Sequence, residues 1–110
     1  MAYDEDVADR LRTALADEPG LTERKMFGGL GFMLDGNMAV AAGSGGDIML
    51  RVAPERTDEL LDGERYRPME MRGRAMKGWL LVSAASLTTQ EELQEVVQIG
   101  VDYVRSLPPK

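Results

Sequence analysis

The chain has 110 residues, of which 13 are basic and 19 acidic, and its formal net charge at pH 7 is −6. This length suffices for one domain with its own core, and the negative charge argues against a protein that coats nucleic acid through bulk electrostatics. The sequence contains neither cysteine nor histidine, which excludes disulfides, thiolate zinc sites and the usual neutral-pH catalytic base.

The first ten residues do not resemble a secretory signal peptide. The stretch MAYDEDVADR is acidic and lacks the apolar segment of a secretory signal peptide. No apolar run approaches the roughly 18 residues of a membrane-spanning helix. We therefore expect a single domain over residues 1–110, located in the cytoplasm and without membrane association.

The first predicted element is a helix over residues 4–16, because Val7, Leu11 and Leu15 recur at helical spacing before Pro19 and Gly20 end the pattern. Three runs with a period of two follow, and they predict consecutive antiparallel strands. Their apolar positions are Leu30, Phe32 and Leu34, then Met38, Val40 and Ala42, then Ile48, Leu50 and Val52.

Residues 35–37 (DGN) join the first two of these strands, and the length of this loop decides their register. A two-residue loop would pair Phe32 with Ala39 and place Val40 on the opposite face. A three-residue loop would pair Phe32 with Val40 and keep the large side chains together. We therefore predict the longer loop, with Asn37 in the left-handed region.

The second half of the chain continues with a short helix over residues 55–61, an extended segment over 66–71 and a strand over 77–82. Overlapping capping boxes in residues 88–92 (TTQEE) predict that a long helix begins there. Because glycine weakens a helix by about 1 kcal/mol relative to alanine, Gly100 predicts close approach to another element. Gly100 lies on an apolar stripe that consists of Leu93, Val96, Val97, Gly100, Val101, Val104 and Leu107.

These elements, in the order α-β(3)-α-β(2)-α, predict an α+β fold. We expect a two-layer sandwich in which the helices cover one face of an antiparallel sheet of about five strands. The other face, called the outer face below, is unusually apolar for a surface that meets water. Since methionine adapts to varied partners, we expect this face to bind an unknown protein partner or a second copy of the chain, as a homodimer. The candidate residues are Met33, Ala39, Ala41, Met49 and Leu81.

Positive charge is concentrated in residues 65–77, where five basic residues and one acid give a local charge of +4. The other 8 basic and 18 acidic residues give −10. Arginine forks suit carboxylate or phosphate, and a nearby tryptophan can stack on a base. The candidates for anion or nucleic-acid binding are Arg51, Arg65, Arg67, Arg72, Arg74, Lys77 and Trp79. The alternative, which we favour, is that these arginines are solvated or pair with acids elsewhere.

The stretch KMFGGLGFMLDGNM, residues 25–38, contains glycines that could cradle a phosphate or shape a hairpin. Their spacing fits neither the dinucleotide fingerprint nor the phosphate loop, and a strand rather than a helix follows them. We interpret them as a structural hairpin motif that permits a bulge or a close approach of the backbone. The motif consists of Phe27, Gly28, Gly29, Gly31, Gly36 and Asn37.

Four segments together resemble the TfoX/Sxy family, and in particular the TfoX N-terminal domain. They are RKMFGGLGFMLDGNM (24–38), IMLRV (48–52), MEMRGRAMKGWLLV (69–82) and GVDYVRSLPPK (100–110). The resemblance implies a two-layer fold similar to that of secretion chaperones, with helices on one side of the sheet. It also implies a small stand-alone member that lacks the C-terminal helical domain such proteins usually carry.

Members of this family are regulators of competence for DNA uptake, thought to act with the cyclic-AMP receptor protein at promoters. The family supplies no established catalytic residues, and the sequence assembles no nucleophile, base and orienting group. We therefore expect a non-enzymatic regulatory or protein-binding module without a cofactor or metal. The alternative function is anion or nucleic-acid binding through residues 65–77, which we do not favour.

Overall fold

The computed structural model describes residues 3–26, 28–71 and 73–109. Within them, the α-helices are α1 (Glu5–Leu15), α2 (Thr57–Leu60) and α3 (Gln90–Arg105). The strands are β1 (Leu21–Met26), β2 (Gly29–Leu34), β3 (Asn37–Ala42), β4 (Ile48–Arg51), β5 (Tyr66–Met71) and β6 (Arg74–Val82). Single turns of 3-10 helix lie at Pro54–Arg56 and Ala84–Ser86.

The strands form one 6-stranded antiparallel sheet in the order β1-β2-β3-β4-β6-β5. Helices α1 and α3 pack together on one face of this sheet, and the core lies between the two layers. The predicted α+β sandwich with helices on one face is therefore confirmed. The sheet has one strand more than expected, because β1 pairs with β2 along its whole length.

Strand β1 lies at one edge of the sheet and has little apolar character. Its sequence LTERKM places four exposed residues between the half-buried Leu21 and Met26. Pairing with β2, rather than burial of alternate side chains, holds it in the sheet. Its charged side chains suit an edge, since they oppose pairing with another chain.

The loop between β2 and β3 is shorter than predicted. It consists of Asp35 and Gly36, with φ angles of 50° and 85°, and Leu34 pairs directly with Asn37. The prediction of a three-residue loop with a left-handed Asn37 is wrong, because two residues with positive φ already give a turn that matches the strand twist. Asn37 is instead buried, and its side-chain amide donates a hydrogen bond to the Pro108 carbonyl oxygen at 3.0 Å.

A bulge at Ala39 corrects the register after this short loop. Met33 pairs with Met38, the register then shifts, and Phe32 pairs with Val40 as predicted. The extra residue lets both large side chains face the core. The same bulge places Met38 on the outer face, opposite to its predicted side, and turns Ala39 into the core cluster.

Helix α3 begins with the predicted capping box. The backbone amide of Glu92 donates to the Thr89 hydroxyl at 3.1 Å, and the Glu92 carboxylate accepts from the Thr89 amide at 3.2 Å. The predicted close approach at Gly100 is confirmed, because a Cβ atom there would lie 2.7 Å from the Ala39 carbonyl oxygen. The buried residues of the helix are Leu93, Val96, Val97, Gly100, Val101 and Val104.

Side chains of α1 and α3 tie the two helices together. The Arg10 guanidinium donates to two carbonyl oxygens just before α3. The amide groups of Gln90 and Gln94 donate to the carbonyl oxygens of Arg10 and Ala14. Each of these last two bonds joins residues 80 positions apart in the chain.

Candidate functional site

The outer face of the sheet is rich in methionine. Side chains that alternate with the core residues of the strands point to this face. Five of the 8 methionines of the chain lie on it, and each of the five is half-buried. They are Met26, Met33, Met38, Met49 and Met69. Because methionine is flexible and polarizable, such a face can adapt its shape to a partner.

Four of these methionines surround a cavity of about 190 Å³ on the outer face, together with the small residues Gly29, Ala41 and Gly43. Met26 belongs to the edge strand β1, and Met69 belongs to β5 at the opposite edge. Since residues from both edges line one cavity, the outer face is concave.

A second cavity of about 240 Å³ adjoins the first and shares Gly43, Ser44, Met49 and Met69 with it. Asp47 and Glu70 contribute carboxylates to its lining. The residues that line either cavity form one surface, called the methionine groove below. The groove is apolar near β1 and more polar near β5.

Glycines of the hairpin motif lie where the groove needs small residues. A Cβ atom at Gly29 would lie 2.6 Å from the Ala42 carbonyl oxygen, which confirms the predicted close approach of the backbone. At Gly31 the nearest atom is the Met38 methyl carbon, at 3.0 Å. Gly28 has a φ angle of 77° in the turn before β2, and Phe27 lies outside the described residues.

The residues predicted for the partner surface do not all lie on it. Met33, Met49 and Leu81 are half-buried on the outer face. Ala41 is 3% exposed and lines the first cavity. Ala39 is fully buried in the core cluster instead, because the bulge in β3 turns it towards α3.

Sequence reasoning did not assign Met26, Met38 or Met69 to this surface. Met26 lies in the strand that was not predicted, and the bulge moves Met38 to the outer face. Met69 lies beside a register shift between Pro68 and Glu70, in a segment predicted only as extended. The signal that could have found them is the methionine count, 8 in 110 residues.

Two arginines of the predicted basic segment are held by acids from elsewhere in the chain. The Arg65 guanidinium donates to the Glu92 carboxylate at 2.7 Å. Arg67 forms an ion pair with Asp47. The favoured alternative, that these arginines pair with acids elsewhere, therefore describes both of them. Arg72 lies outside the described residues.

Of the other described basic candidates, Arg51 is half-buried, whereas Arg74 and Lys77 are exposed. The Arg51 guanidinium carbon lies 5.8 Å from the centre of the Trp79 ring and 5.5 Å from that of Tyr103, in reach of cation–π attraction. Arg74 and Lys77 are exposed and form no ion pair within the described part of the chain. The structure thus leaves Arg74 and Lys77 as the accessible cations of the described basic segment.

Glu92 joins the capping box of α3 to the Arg65 ion pair. Hydrogen bonds from the Thr88 hydroxyl and from Arg65 lower the pKa of the Glu92 carboxyl from 4.5 to about 2. Because the folded-state pKa is the lower one, the charged carboxylate stabilises the fold above the unfolded-state value. This contribution is lost as the pH falls towards the folded-state pKa.

We expect the substitution Glu92→Gln to reveal this dependence, since glutamine keeps a capping side chain but carries no charge. The difference in urea midpoint between the wild type and Glu92→Gln should be largest at about pH 7 and shrink steadily as the pH falls from about 5 towards about 2. Glu91→Gln changes the preceding exposed residue and should show a much weaker dependence. Equal pH profiles for the two variants would contradict the assigned role of Glu92.

Neither a membrane span nor a cluster of metal ligands is found in the described parts of the chain. No helix there is long and apolar enough to cross a membrane. Likewise, no group of three or more His, Cys, Asp or Glu residues is placed to hold a metal ion.

Comparison with known proteins gives one match. A family model described as the TfoX N-terminal domain matches residues 13–103. No curated protein and no solved structure matches the chain. The matched span contains all strands of the sheet and every residue of the methionine groove.

Proposed function

The chain belongs to the TfoX N-terminal domain family, and on this premise we propose that it is a non-enzymatic regulatory or protein-binding module of the cytoplasm. Family membership supports a regulatory role, and regulation of competence is a role known in the family. The proposed binding surface is the methionine groove. Its partner is another protein or a second copy of the chain.

The concave apolar outer face is the observation that carries this proposal. A sheet covered by helices on one face usually presents polar side chains to water on the other. Here that other face contains a cavity of about 190 Å³ lined by four methionines. Apolar concavities of this kind mark binding sites, and methionine is common on surfaces that accept varied partners.

Nucleic acid is the alternative partner, and fewer features support it. Arg65 and Arg67 are engaged with carboxylates, which leaves them less available for phosphate. Arg74 and Lys77 remain exposed. Salt-dependent binding to nucleic acid that the double variant Arg74→Ala/Lys77→Ala loses would favour this alternative.

The substitution Met49→Glu is expected to abolish partner binding, because an unpaired carboxylate buried in an interface costs several kcal/mol. The tagged full chain is used to capture partners from its native cell, and light scattering measures its oligomeric state. The wild type should capture a partner, or form a dimer, that Met49→Glu loses.

Ala85→Glu provides the matched control for Met49→Glu, since it adds the same charge at an exposed residue outside the groove. Circular dichroism verifies that both variants fold. Retention of the partner by Met49→Glu, or its equal loss in both variants, would reject the groove as the binding surface.

A further inference from the structure

Building on the proposed function, we propose that the first cavity of the methionine groove receives a bulky apolar side chain from an acidic segment of a different protein. Three features support this assignment. They are the size and lining of the cavity, the lack of a protruding apolar side chain among those that the structure describes, and the charges around the groove.

The cavity has the size and lining of a pocket for one apolar side chain. Its volume is about 190 Å³, and apolar cavities of roughly 150 Å³ can hold benzene. Its lining combines four methionines with Ala41, and Ser44 supplies the single side-chain hydroxyl. A polar side chain that entered this cavity would lose its hydrogen bonds to water and find too few partners in the lining, which costs free energy. An aromatic or branched aliphatic side chain is therefore the fitting occupant.

A second copy of the chain is a poor occupant of this cavity. Among the side chains whose burial the structure describes, every large apolar or aromatic one is buried or half-buried, so none protrudes as an anchor. Two concave outer faces placed against each other would also leave both cavities unfilled. Such voids forfeit the packing contacts that stabilise an interface. On the described side chains, a different protein is therefore the better source of the occupant.

Charges near the cavity favour an acidic segment. Arg24 in β1 pairs with Gly31 and so lies on the outer face beside the cavity, where it is exposed. It forms no ion pair within the described residues. Asp47 in the groove is already neutralised by Arg67.

Glu70 gives the segment a direction. It lines the second cavity, at the β5 end of the groove, and is exposed. Its negative charge repels acidic residues at that end, so the acids of the segment belong near β1 and Arg24. The helix layer is acidic at the start of both α1 and α3. Its negative charge disfavours binding of an acidic segment to the helix side of the protein.

The test uses the full chain with carbon-13-labelled methionine methyl groups, observed by NMR. The probe peptide is acetyl-Asp-Glu-Phe-amide, and saturable shifts of the methyl resonances of Met26, Met38, Met49 and Met69 are expected. Acetyl-Asp-Glu-Gly-amide lacks the anchor and should cause no such shifts. Acetyl-Lys-Lys-Phe-amide should bind about threefold more weakly than the acidic peptide, or weaker still, as expected for loss of an exposed ion pair.

Two variants separate the charge from the cavity. Arg24→Glu should reverse the preference between the acidic and basic peptides. Lys25→Glu is the matched control, because Lys25 is exposed in the same strand but points to the helix side, opposite Leu30. It should leave the preference unchanged. Ala41→Leu should fill the cavity and remove binding of both phenylalanine peptides, while circular dichroism verifies the fold.

Three results would overturn the inference. They are unchanged methyl resonances with the acidic phenylalanine peptide, equal binding of the glycine peptide, or the same charge preference in Arg24→Glu and Lys25→Glu. If the peptides fail but a captured partner is still lost in Met49→Glu, the inference fails and the proposed function stands. If the peptides bind as expected but no partner or dimer is sensitive to Met49→Glu, the proposed function alone is rejected.

Discussion

Replacement of Gly100 by alanine is expected to lower the free energy of unfolding by about 2 kcal/mol, although alanine is the better helix former. The added Cβ atom would lie 2.7 Å from the Ala39 carbonyl oxygen and 3.0 Å from a Leu50 methyl carbon. The first contact is with backbone, which cannot swing aside. Helix α3 must therefore move away from the sheet and loosen the core contacts of the whole stripe. Urea unfolding monitored by circular dichroism measures the loss.

Glu95→Ala provides the control for Gly100→Ala, because it introduces alanine at an exposed position of the same helix. Its effect on the free energy of unfolding should stay within about 0.5 kcal/mol. If Gly100→Ala were as stable as the wild type, the helix would tolerate a wider separation from the sheet than its packing indicates.

Gly29→Ala is expected to cost about 2 kcal/mol of stability, whereas Gly31→Ala should cost much less. At Gly29 the new atom would lie 2.6 Å from a backbone oxygen of β3, so the two strands would have to separate. At Gly31 it would meet only the methyl end of Met38, at 3.0 Å. A flexible methionine can change rotamer at little cost. Each variant adds one methyl group to the same strand, at a different position, so each is the control for the other.

Denaturant unfolding of both variants decides the prediction. Equal losses of unfolding free energy in the two variants would mean that both glycines contribute only backbone flexibility to β2. A larger loss in Gly31→Ala would mean that Met38 is fixed in place, in conflict with an adaptable groove. The methyl resonance of Met38 should shift in Gly31→Ala in either case.

Helix α3 and the central strands could be predicted because local signals agree with the tertiary structure. The capping residues 88–92 and the apolar stripe indicate the same helix, and Gly100 interrupts a strong pattern where the backbone must come close. Phe32 and Val40 could be paired because burial leaves one face for large side chains. Even the wrong loop length gave the right pair, since the bulge at Ala39 restores that arrangement.

Strand β1 could not be predicted from hydrophobic pattern, because its residues 22–25 are exposed and polar. Its position depends on backbone pairing with β2, which no side-chain periodicity reports. The bulge in β3 was equally hidden, since a longer loop and a bulge both satisfy the pairing of Phe32 with Val40. Because β1 and the bulge were not predicted, Met26 and Met38 were not assigned to the groove.

The candidate site depends on tertiary structure more than the fold does. The apolar character of the outer face was readable at Met33 and Met49, but its concavity requires β1 and β5 to approach one cavity from opposite edges. The acids that hold Arg65 and Arg67 lie 27 and 20 residues away in the chain. Pairing with acids elsewhere was the favoured interpretation of these arginines, but local charge could not identify the acids.

The bonds between α1 and α3 have a consequence for synthesis of the protein. Helix α1 leaves the ribosome long before α3, but the apolar side of α1, with Leu11 and Leu15, is covered only when this helix, 80 residues later, is present. Until then the nascent chain exposes the apolar face of α1 and the sheet face that α3 will cover, and such exposed apolar surface promotes aggregation. Docking of α3 therefore closes the fold in one late step, and a chain interrupted before this helix would be a substrate for quality control.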